Sequence, residues 1–261
     1  MSEGIEQAEN GVLTRRQIMG MAALAGGISF AGPVSAQFSL GKALKVGKGL
    51  IDAESLSDDD MNNYFGQMAT DMDSRNPVAG SNDPYGQRLA ALSRGLESYD
   101  GLDLDIKAYL VQDVNAFAMA DGTIRVFAGL MDEFTDDEVR YVIGHEIGHV
   151  KEGHTKERMQ TAMRTEAALG AASMASGTAG RLARSDLGAL FTKVITSEHS
   201  KSNENEADDY AMNFMKAKGY APDACVTALD KLAAMSGGSG PQWLSTHPSP
   251  ASRANRMRKK V

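Results

Sequence analysis

Cysteine is nearly absent from this sequence: its 261 residues include one, Cys225. A single thiol cannot form an intramolecular disulfide, and it cannot supply the several thiolates of a structural zinc site or an iron–sulfur cluster. Any metal site in this chain must therefore be built from carboxylates and from the five histidines.

An excess of basic residues is also lacking, because 27 Lys+Arg stand against 34 Asp+Glu and the formal net charge is -7. Binding to phosphate backbones needs clustered lysine and arginine, so this balance argues against nucleic acid as a partner. After the N-terminal region no apolar run approaches the roughly 20 residues of a membrane span. We therefore expect a soluble mature protein with an ordinary globular core, in line with 42% hydrophobic residues.

The N-terminal region, residues 12–37, reads VLTRRQIMGMAALAGGISFAGPVSAQ. Arg15 and Arg16 precede a short apolar run over 18–31, and small residues follow it, which is the pattern of an export signal peptide over 1–36. The sequence T-R-R-Q-I-M resembles a twin-arginine signal, and the general secretory route is the alternative. We expect an exported, periplasmic protein after cleavage.

The rest of the chain mixes predicted helices with two predicted strands. Alternating residues predict strands over 104–112 and 123–128, the second directly after the turn sequence Asp121-Gly122. Apolar residues at helical spacing and capping residues predict the helices, which cover 39–75, 135–150, 198–218 and 223–235. These elements indicate an α+β fold that is mainly helical.

The segment over 145–149 reads H-E-I-G-H, on the helix that a T-D-D-E capping box opens at Thr135. A spacing of i, i+4 puts His145 and His149 on one face, one turn apart, so both imidazoles can reach a single ion. Glu146 is then placed to take a proton from water beside that ion. Zinc fits best, since three N/O ligands and an open position make a catalytic zinc site.

Two residues compete for the place of the third ligand. His154 lies five residues after His149, out of register with the metzincin pattern, which needs a glycine three and a histidine six residues after it. Glu204 and Asp208 are i, i+4 in the segment E-N-E-A-D, so Glu204 can bind the metal while Asp208 orients a ligand histidine. Glu206 points to another face and is expected to be a solvated carboxylate.

Four segments in this order carry a family resemblance: N-A-F-A at 115–118 before the D-G turn, H-E-I-G-H-V with His154 and Arg158 beyond it, S-K-S-N-E-N-E-A-D at 200–208, and S-T-H-P with Arg253 at 245–253. Together they resemble the zinc metallopeptidases of family M48, the HtpX, BepA and LoiP type of gluzincin, which also includes the CAAX prenyl proteases. The resemblance implies a mainly helical, zincin-like domain over 83–261 with a small sheet or hairpin beside the active-site helix. An N-terminal helical segment and loop over 37–82 would precede it.

By this resemblance, His145, His149 and Glu204 bind one Zn²⁺ per chain, and Glu146 is the general base and acid. His247 is expected close to the zinc, either as an extra ligand that holds the enzyme at rest or as a group that stabilises the oxyanion.

The resemblance also assigns a supporting set of residues. Asn115, Ala116 and Phe117 belong to the hairpin against which a substrate pairs as an added strand. Arg253 either binds substrate or supports the loop of His247, and His154 is expected behind the ligands or in the core.

Two further residues have minor predicted roles. His199 is expected at the entry of a helix with no role at the metal, and Trp243 is expected to pack beside the His247 loop.

The sequence thus predicts a zinc-dependent endopeptidase of the cell envelope that hydrolyses unfolded or misassembled proteins. The alternative is a zinc-containing chaperone or quality-control module that binds its clients without cutting them. Glu146 favours the peptidase, because a structural zinc site has no use for a base. The small residues of 167–180 predict a flexible connector or a lid over the site.

Overall fold

The structure is a computed structural model that describes four parts of the chain: 58–162, 165, 193–237 and 240–261. The predicted signal peptide and the small-residue segment over 167–180 lie outside the described residues. The regular elements, in chain order, are α1 Asp58–Arg75, α2 Pro84–Leu92, a 3-10 turn Tyr99–Gly101, β1 Asp105–Tyr109, β2 Ala116–Ala118, β3 Thr123–Phe127, α3 Ala128–Glu133, α4 Asp136–Lys151, α5 Lys201–Lys218, α6 Ala224–Ala234, α7 Trp243–Thr246 and α8 Pro250–Met257.

Helices dominate these elements, and the predicted α+β class with a small sheet is confirmed. Residues 154–162 are helical as well. Among the described residues, none of the helices combines the length and the apolar character that crossing a membrane requires.

The sheet has three strands in the order β1-β3-β2. β3 is its centre: it runs parallel to β1 and antiparallel to β2. The strand predicted over 104–112 is shorter in the structure, where β1 ends at Tyr109. The short strand β2 forms the hairpin with β3. Gly122 makes the turn of this hairpin at φ +89, where a Cβ atom would lie 1.9 Å from the carbonyl oxygen of Asp103. Only glycine fits this turn.

Helix α4 carries the H-E-I-G-H segment, and it begins where the sequence predicts. Thr135 accepts a hydrogen bond from the Glu138 backbone at 3.4 Å, and its own N–H donates to Glu138 Oε2 at 2.8 Å. This reciprocal capping box satisfies two backbone N–H groups of the first turn. The helix beyond it is buried on nearly all sides, from Val139 to Val150.

The contact between α4 and α5 brings the two predicted metal-binding segments together. It is close because α4 presents glycines to α5: a Cβ atom on Gly144 would lie 2.5 Å from Phe214 Cδ1, and one on Gly148 would lie 3.0 Å from Ala207 Cα. Helix α5 itself begins after Ser200, which accepts from the Asn203 backbone at 3.1 Å. Its end at the left-handed Gly219 is as predicted.

A buried arginine joins α1 to the sheet. Arg125, in the central strand, is 1% exposed and donates from Nε and Nη2 to the two carboxylate oxygens of Asp73, at 2.8 and 2.9 Å. Asp105 accepts from Nη2 at 2.8 Å, and the Tyr109 hydroxyl donates to Asp73 at 2.7 Å. Burial alone would raise the pKa of Asp73, but these donors outweigh it and hold the pKa below its ordinary value.

We predict that Asp73→Ala lowers the free energy of unfolding by about 3 kcal/mol, because it leaves a buried guanidinium with incomplete pairing. Asp71→Ala, in the same helix, is the matched control, since its pair with Arg75 is partly exposed and is worth less than about 1 kcal/mol. Urea denaturation of both variants measures the difference. Equal losses would contradict the assigned role of Asp73.

Candidate metal centre and active site

The three predicted metal ligands lie together at the contact of α4 and α5. The Nε2 atoms of His145 and His149 are 3.0 Å apart. Glu204 faces them from α5, with Oε1 3.3 Å from His149 Nε2 and Oε2 3.6 Å from His145 Nε2. All three side chains are at most 1% exposed.

His247 completes this group from the chain segment that follows α7. One ligand atom of each of the four residues lies within 4.8 Å of all the others. The His247 ring stacks on Trp243, with ring centroids 4.2 Å apart and planes 6° apart. Its Nδ1 atom lies 3.2 Å from the Trp243 carbonyl oxygen and 2.9 Å from Thr246 Oγ1.

The acceptors beside Nδ1 of His145 and His247 determine which nitrogen of each ring carries the hydrogen. Asp208 Oδ1 lies 3.1 Å from His145 Nδ1, and an ionised carboxylate only accepts, so the hydrogen of His145 is on Nδ1. The Trp243 carbonyl likewise only accepts, which puts the hydrogen of His247 on Nδ1. Both rings therefore present the lone pair of Nε2 to the point where Glu204 lies.

These residues fit a zinc ion. Glu204 Oε1 and the Nε2 atom of His247 are buried and have no hydrogen-bond partner among the described residues, whereas Glu204 Oε2 forms an ion pair with Arg253. Buried acceptors without a partner are costly, and acceptor atoms as close as those of His145 and His149 repel each other. A cation between them removes both costs, and two imidazoles with one carboxylate are the ligand set of many catalytic zinc sites.

Burial disfavours the charged form of each candidate ligand. It lowers the pKa of His145 to about 4, and it lowers the pKa values of His149 and His247 well below the ordinary value, so all three rings are neutral. It also raises the pKa of Glu204 to about 8, against the opposing charge of Arg253.

Arg253 and Asp208 form a buried ion pair behind His145. The guanidinium donates to both oxygens of Asp208, from Nε at 2.9 Å and from Nη2 at 2.6 Å, and it also contacts Glu204. Tyr141 donates to Asp208 at 2.7 Å. Burial would raise the pKa of Asp208, but the charge of Arg253 outweighs it and holds the pKa below its ordinary value. These contacts favour a structural role for Arg253 over the predicted role in substrate binding.

Glu146 lies on the open side of the group. Its Oε1 is 3.4 Å from Trp243 Nε1 and 3.5 Å from His247 Nε2. Burial raises the pKa of Glu146 to about 7, although a hydrogen bond from Trp243 and one from the Ala118 backbone oppose the rise. The carboxylate is therefore poised to accept and to release a proton near neutral pH.

The predicted substrate hairpin borders the cleft beside Glu146. Phe117 and Ala118 line this cleft. Asn115 and Ala116 are buried, and the carbonyl of Asn115 accepts from Phe127, so Asn115 is already used inside the sheet. Ala118 ends the same N-A-F-A segment but is not among the predicted substrate-binding residues.

His199 lies closer to the site than the sequence indicates. Its ring centroid is 3.9 Å from that of His149 and 5.2 Å from that of His247, and its backbone N–H donates to the Thr246 carbonyl at 2.8 Å. Arg158 reaches its Nε2 at 2.7 Å. His199 is outside the group of possible metal ligands. No local sequence pattern predicts this packing, because it joins segments that are far apart in the sequence.

His154 lies behind the ligands, with its Nδ1 2.9 Å from His149 Nδ1. Glu206, predicted to be solvated, has a side chain that is 53% exposed, yet its Oε2 lies 3.1 Å from His154 Nε2.

Comparisons with known proteins identify the family of this chain. The profile of peptidase family M48 matches residues 92–261. The chain is 40% identical to metalloprotease LoiP of Escherichia coli (strain K12), over 84% of this chain and 87% of that protein. It is 36% identical to metalloprotease YcaL of the same organism, with the same coverage.

Other matches are more distant. The β-barrel assembly-enhancing protease of E. coli (strain K12) is 32% identical over 57% of this chain and 34% of its own length. Among solved structures, Ste24p of S. mikatae matches with a TM-score of 0.46 and 19% identity, over 76% of this chain and 57% of that one.

The predicted family is confirmed, since its profile covers more than half of the chain and two relatives match at high coverage. Membership also decides between the two predicted functions, because the relatives are named as proteases. The chain belongs to peptidase family M48 and is a zinc-dependent metalloendopeptidase.

Proposed function

We propose that His145, His149 and Glu204 hold one zinc ion and that Glu146 is the general base and acid of peptide hydrolysis. The observation that carries this proposal is a pair of buried acceptor atoms without hydrogen-bond partners among the described residues, Glu204 Oε1 and His247 Nε2, next to the further carboxylate of Glu146. Zinc held there supplies a Lewis acid that polarises the peptide carbonyl and acidifies water.

Glu146 moves the proton in both halves of the reaction. It takes a proton from the attacking water while the water oxygen bonds to the carbonyl carbon, and it passes that proton to the leaving amine as the C–N bond breaks. Its raised pKa, about 7, suits both transfers. The Trp243 N–H, 3.4 Å from Oε1, holds the carboxylate in one orientation for both.

Substrate binds as an extended strand along the outer edge of β2. Strand order leaves this edge without a neighbouring strand among the described residues. Asn115 and Met119 direct backbone groups at β3, so by the alternation of an antiparallel pair Ala116 and Ala118 direct theirs to the other side, where the Ala118 N–H already donates to Glu146. Recognition through backbone groups suits unfolded or misassembled proteins, which expose extended chain.

We place this activity in the cell envelope. The signal-peptide pattern over 1–36 supports export, and its T-R-R-Q-I-M sequence supports the twin-arginine route. The name of one relative refers to β-barrel assembly, and a substrate class of misassembled envelope proteins is in keeping with it.

His247 is proposed as a fourth ligand that keeps the enzyme at rest until substrate displaces it. Its Nε2 atom belongs to the ligand group and has no hydrogen-bond partner among the described residues. Stacking on Trp243 and the bond from Nδ1 to the Trp243 carbonyl hold the ring in this direction.

Glu146→Gln is expected to lower kcat for an unfolded casein substrate by about 10²- to 10⁴-fold, because it removes the acid–base group. Zinc content, measured by elemental analysis of the same sample, should stay at the wild-type value. Retained cleavage with zinc still bound would refute the mechanism.

His247→Ala is expected to raise the initial rate of casein cleavage several-fold and to weaken zinc binding, because it removes a resting ligand. His199→Phe is the control, since it keeps a ring against His149 and removes none of the candidate ligand atoms, and it should leave zinc affinity unchanged. A lower kcat for His247→Ala at unchanged zinc affinity would instead assign His247 to the oxyanion.

Backbone recognition is tested by methylating single amide nitrogens along an internally quenched peptide substrate. Each lost N–H bond to β2 is expected to raise KM about tenfold, which corresponds to about 1.4 kcal/mol. Only alternate residues of a strand bond to one neighbour, so the effect should recur at every second position. A flat profile across the peptide would rule out strand addition.

A further inference from the structure

A chain of hydrogen bonds runs from the protein surface to the proposed ligand His149. Glu206 Oε2 lies 3.1 Å from His154 Nε2, and His154 Nδ1 lies 2.9 Å from His149 Nδ1. Ser202 donates to the other oxygen of Glu206 at 2.9 Å, which holds the carboxylate in place. His154 is buried, whereas the Glu206 side chain is 53% exposed.

The direction of this chain follows from the chemistry of its ends. An ionised, exposed carboxylate only accepts hydrogen bonds, so Nε2 of His154 carries a hydrogen. In its neutral form the His154 ring has one N–H, so that its Nδ1 is then an acceptor. The hydrogen between the two rings must then belong to Nδ1 of His149. This leaves a lone pair on Nε2 of His149, the atom that lies 3.3 Å from Glu204 Oε1.

We propose that Glu206 and His154 are positioning residues that hold His149 in the tautomer able to bind the metal. This inference rests on the proposed function, because it requires His149 to be a ligand. It gives each histidine of the group its own acceptor at Nδ1: Asp208 for His145, the Trp243 carbonyl for His247, and the Glu206–His154 pair for His149.

We call the hydrogen-bonded chain Glu206–His154–His149 the relay. Loss of Glu206 would disrupt it in a definite way. Without the carboxylate, His154 can carry its hydrogen on Nδ1 and donate it to His149. The hydrogen of His149 then moves to Nε2, which cannot bind a metal in that state. Loss of Glu206 therefore stabilises a competing state that must be reversed on metal binding, and the apparent zinc affinity falls.

Zinc affinity of the full chain, measured by competition with a chromogenic chelator, tests this relay. Glu206→Ala is expected to weaken zinc binding by about 10- to 100-fold, as losing a group that orients a ligand does. Glu206→Gln keeps an acceptor oxygen of the same reach and should stay within about threefold of wild type. Glu157→Ala is the matched control: it removes an exposed carboxylate from helical residues 154–162 and should leave the zinc affinity unchanged.

Nitrogen-15 NMR of the histidine side chains gives a second, independent readout in the zinc-loaded protein. Hydrogen on Nδ1 of His149 and on Nε2 of His154 supports the relay, and hydrogen on Nδ1 of His154 overturns it. Wild-type affinity in Glu206→Ala also overturns it. Equal loss in the Ala and Gln variants does so too, because the effect would then be one of charge alone.

These outcomes separate the relay from the function on which it rests. If the wild-type chain binds no zinc, the proposed site and the relay fail together. If the wild type binds zinc and loses cleavage in Glu146→Gln, while Glu206→Ala binds zinc as tightly as wild type, only the relay fails.

Discussion

The close approach of α4 to α5 is the constraint on which the site depends. Two helices that share an ordinary interface lie 8–10 Å apart, depending on the side chains between them. Here Gly144 and Gly148 place no side chain at two points of this contact, and Phe214 and Ala207 occupy the space that a Cβ atom would need. The reach from Glu204 to the two imidazoles, 3.3 to 3.6 Å, exists because of this contact. A methyl group on either glycine would push the carboxylate away from the histidines.

Charge is balanced in the same small volume. The site buries Glu204, Asp208 and Glu146, and Arg253 supplies a positive charge to the first two of them. The histidines are neutral because burial disfavours their charged form. Unpaired buried charge is strongly destabilising, so the remaining negative charge is left for a divalent cation. The arginine thus lets Asp208 stay ionised, while the proposed ligands face the space that a metal ion would take.

The parts of this structure that follow from local spacing could be predicted from the sequence. The i, i+4 spacing of His145 and His149 and the capping box at Thr135 depend on helix geometry alone. The residues Glu204 and Asp208 could be paired for the same reason. The confirmed mainly helical class with a small sheet rests on equally local patterns.

Contacts between distant segments could not be predicted in this way. The packing of His199 on His149, the Trp243 bond to Glu146 and the pairing of Asp73 with Arg125 each join segments whose approach is set by tertiary structure. Glu206 shows the same limit. Helical periodicity correctly turns it away from Glu204, but the partner on that side, His154, comes from another helix.

The short edge strand β2 has a consequence for how the enzyme chooses among proteins. In the proposed mode of binding, its three residues contact little of a substrate's sequence, so the main requirement is that the substrate chain lies extended beside it. A segment inside a folded protein meets that demand only when it opens locally. The rate at which a given protein is cut should then fall as the free energy of that opening rises, so that locally unstable proteins are cut first.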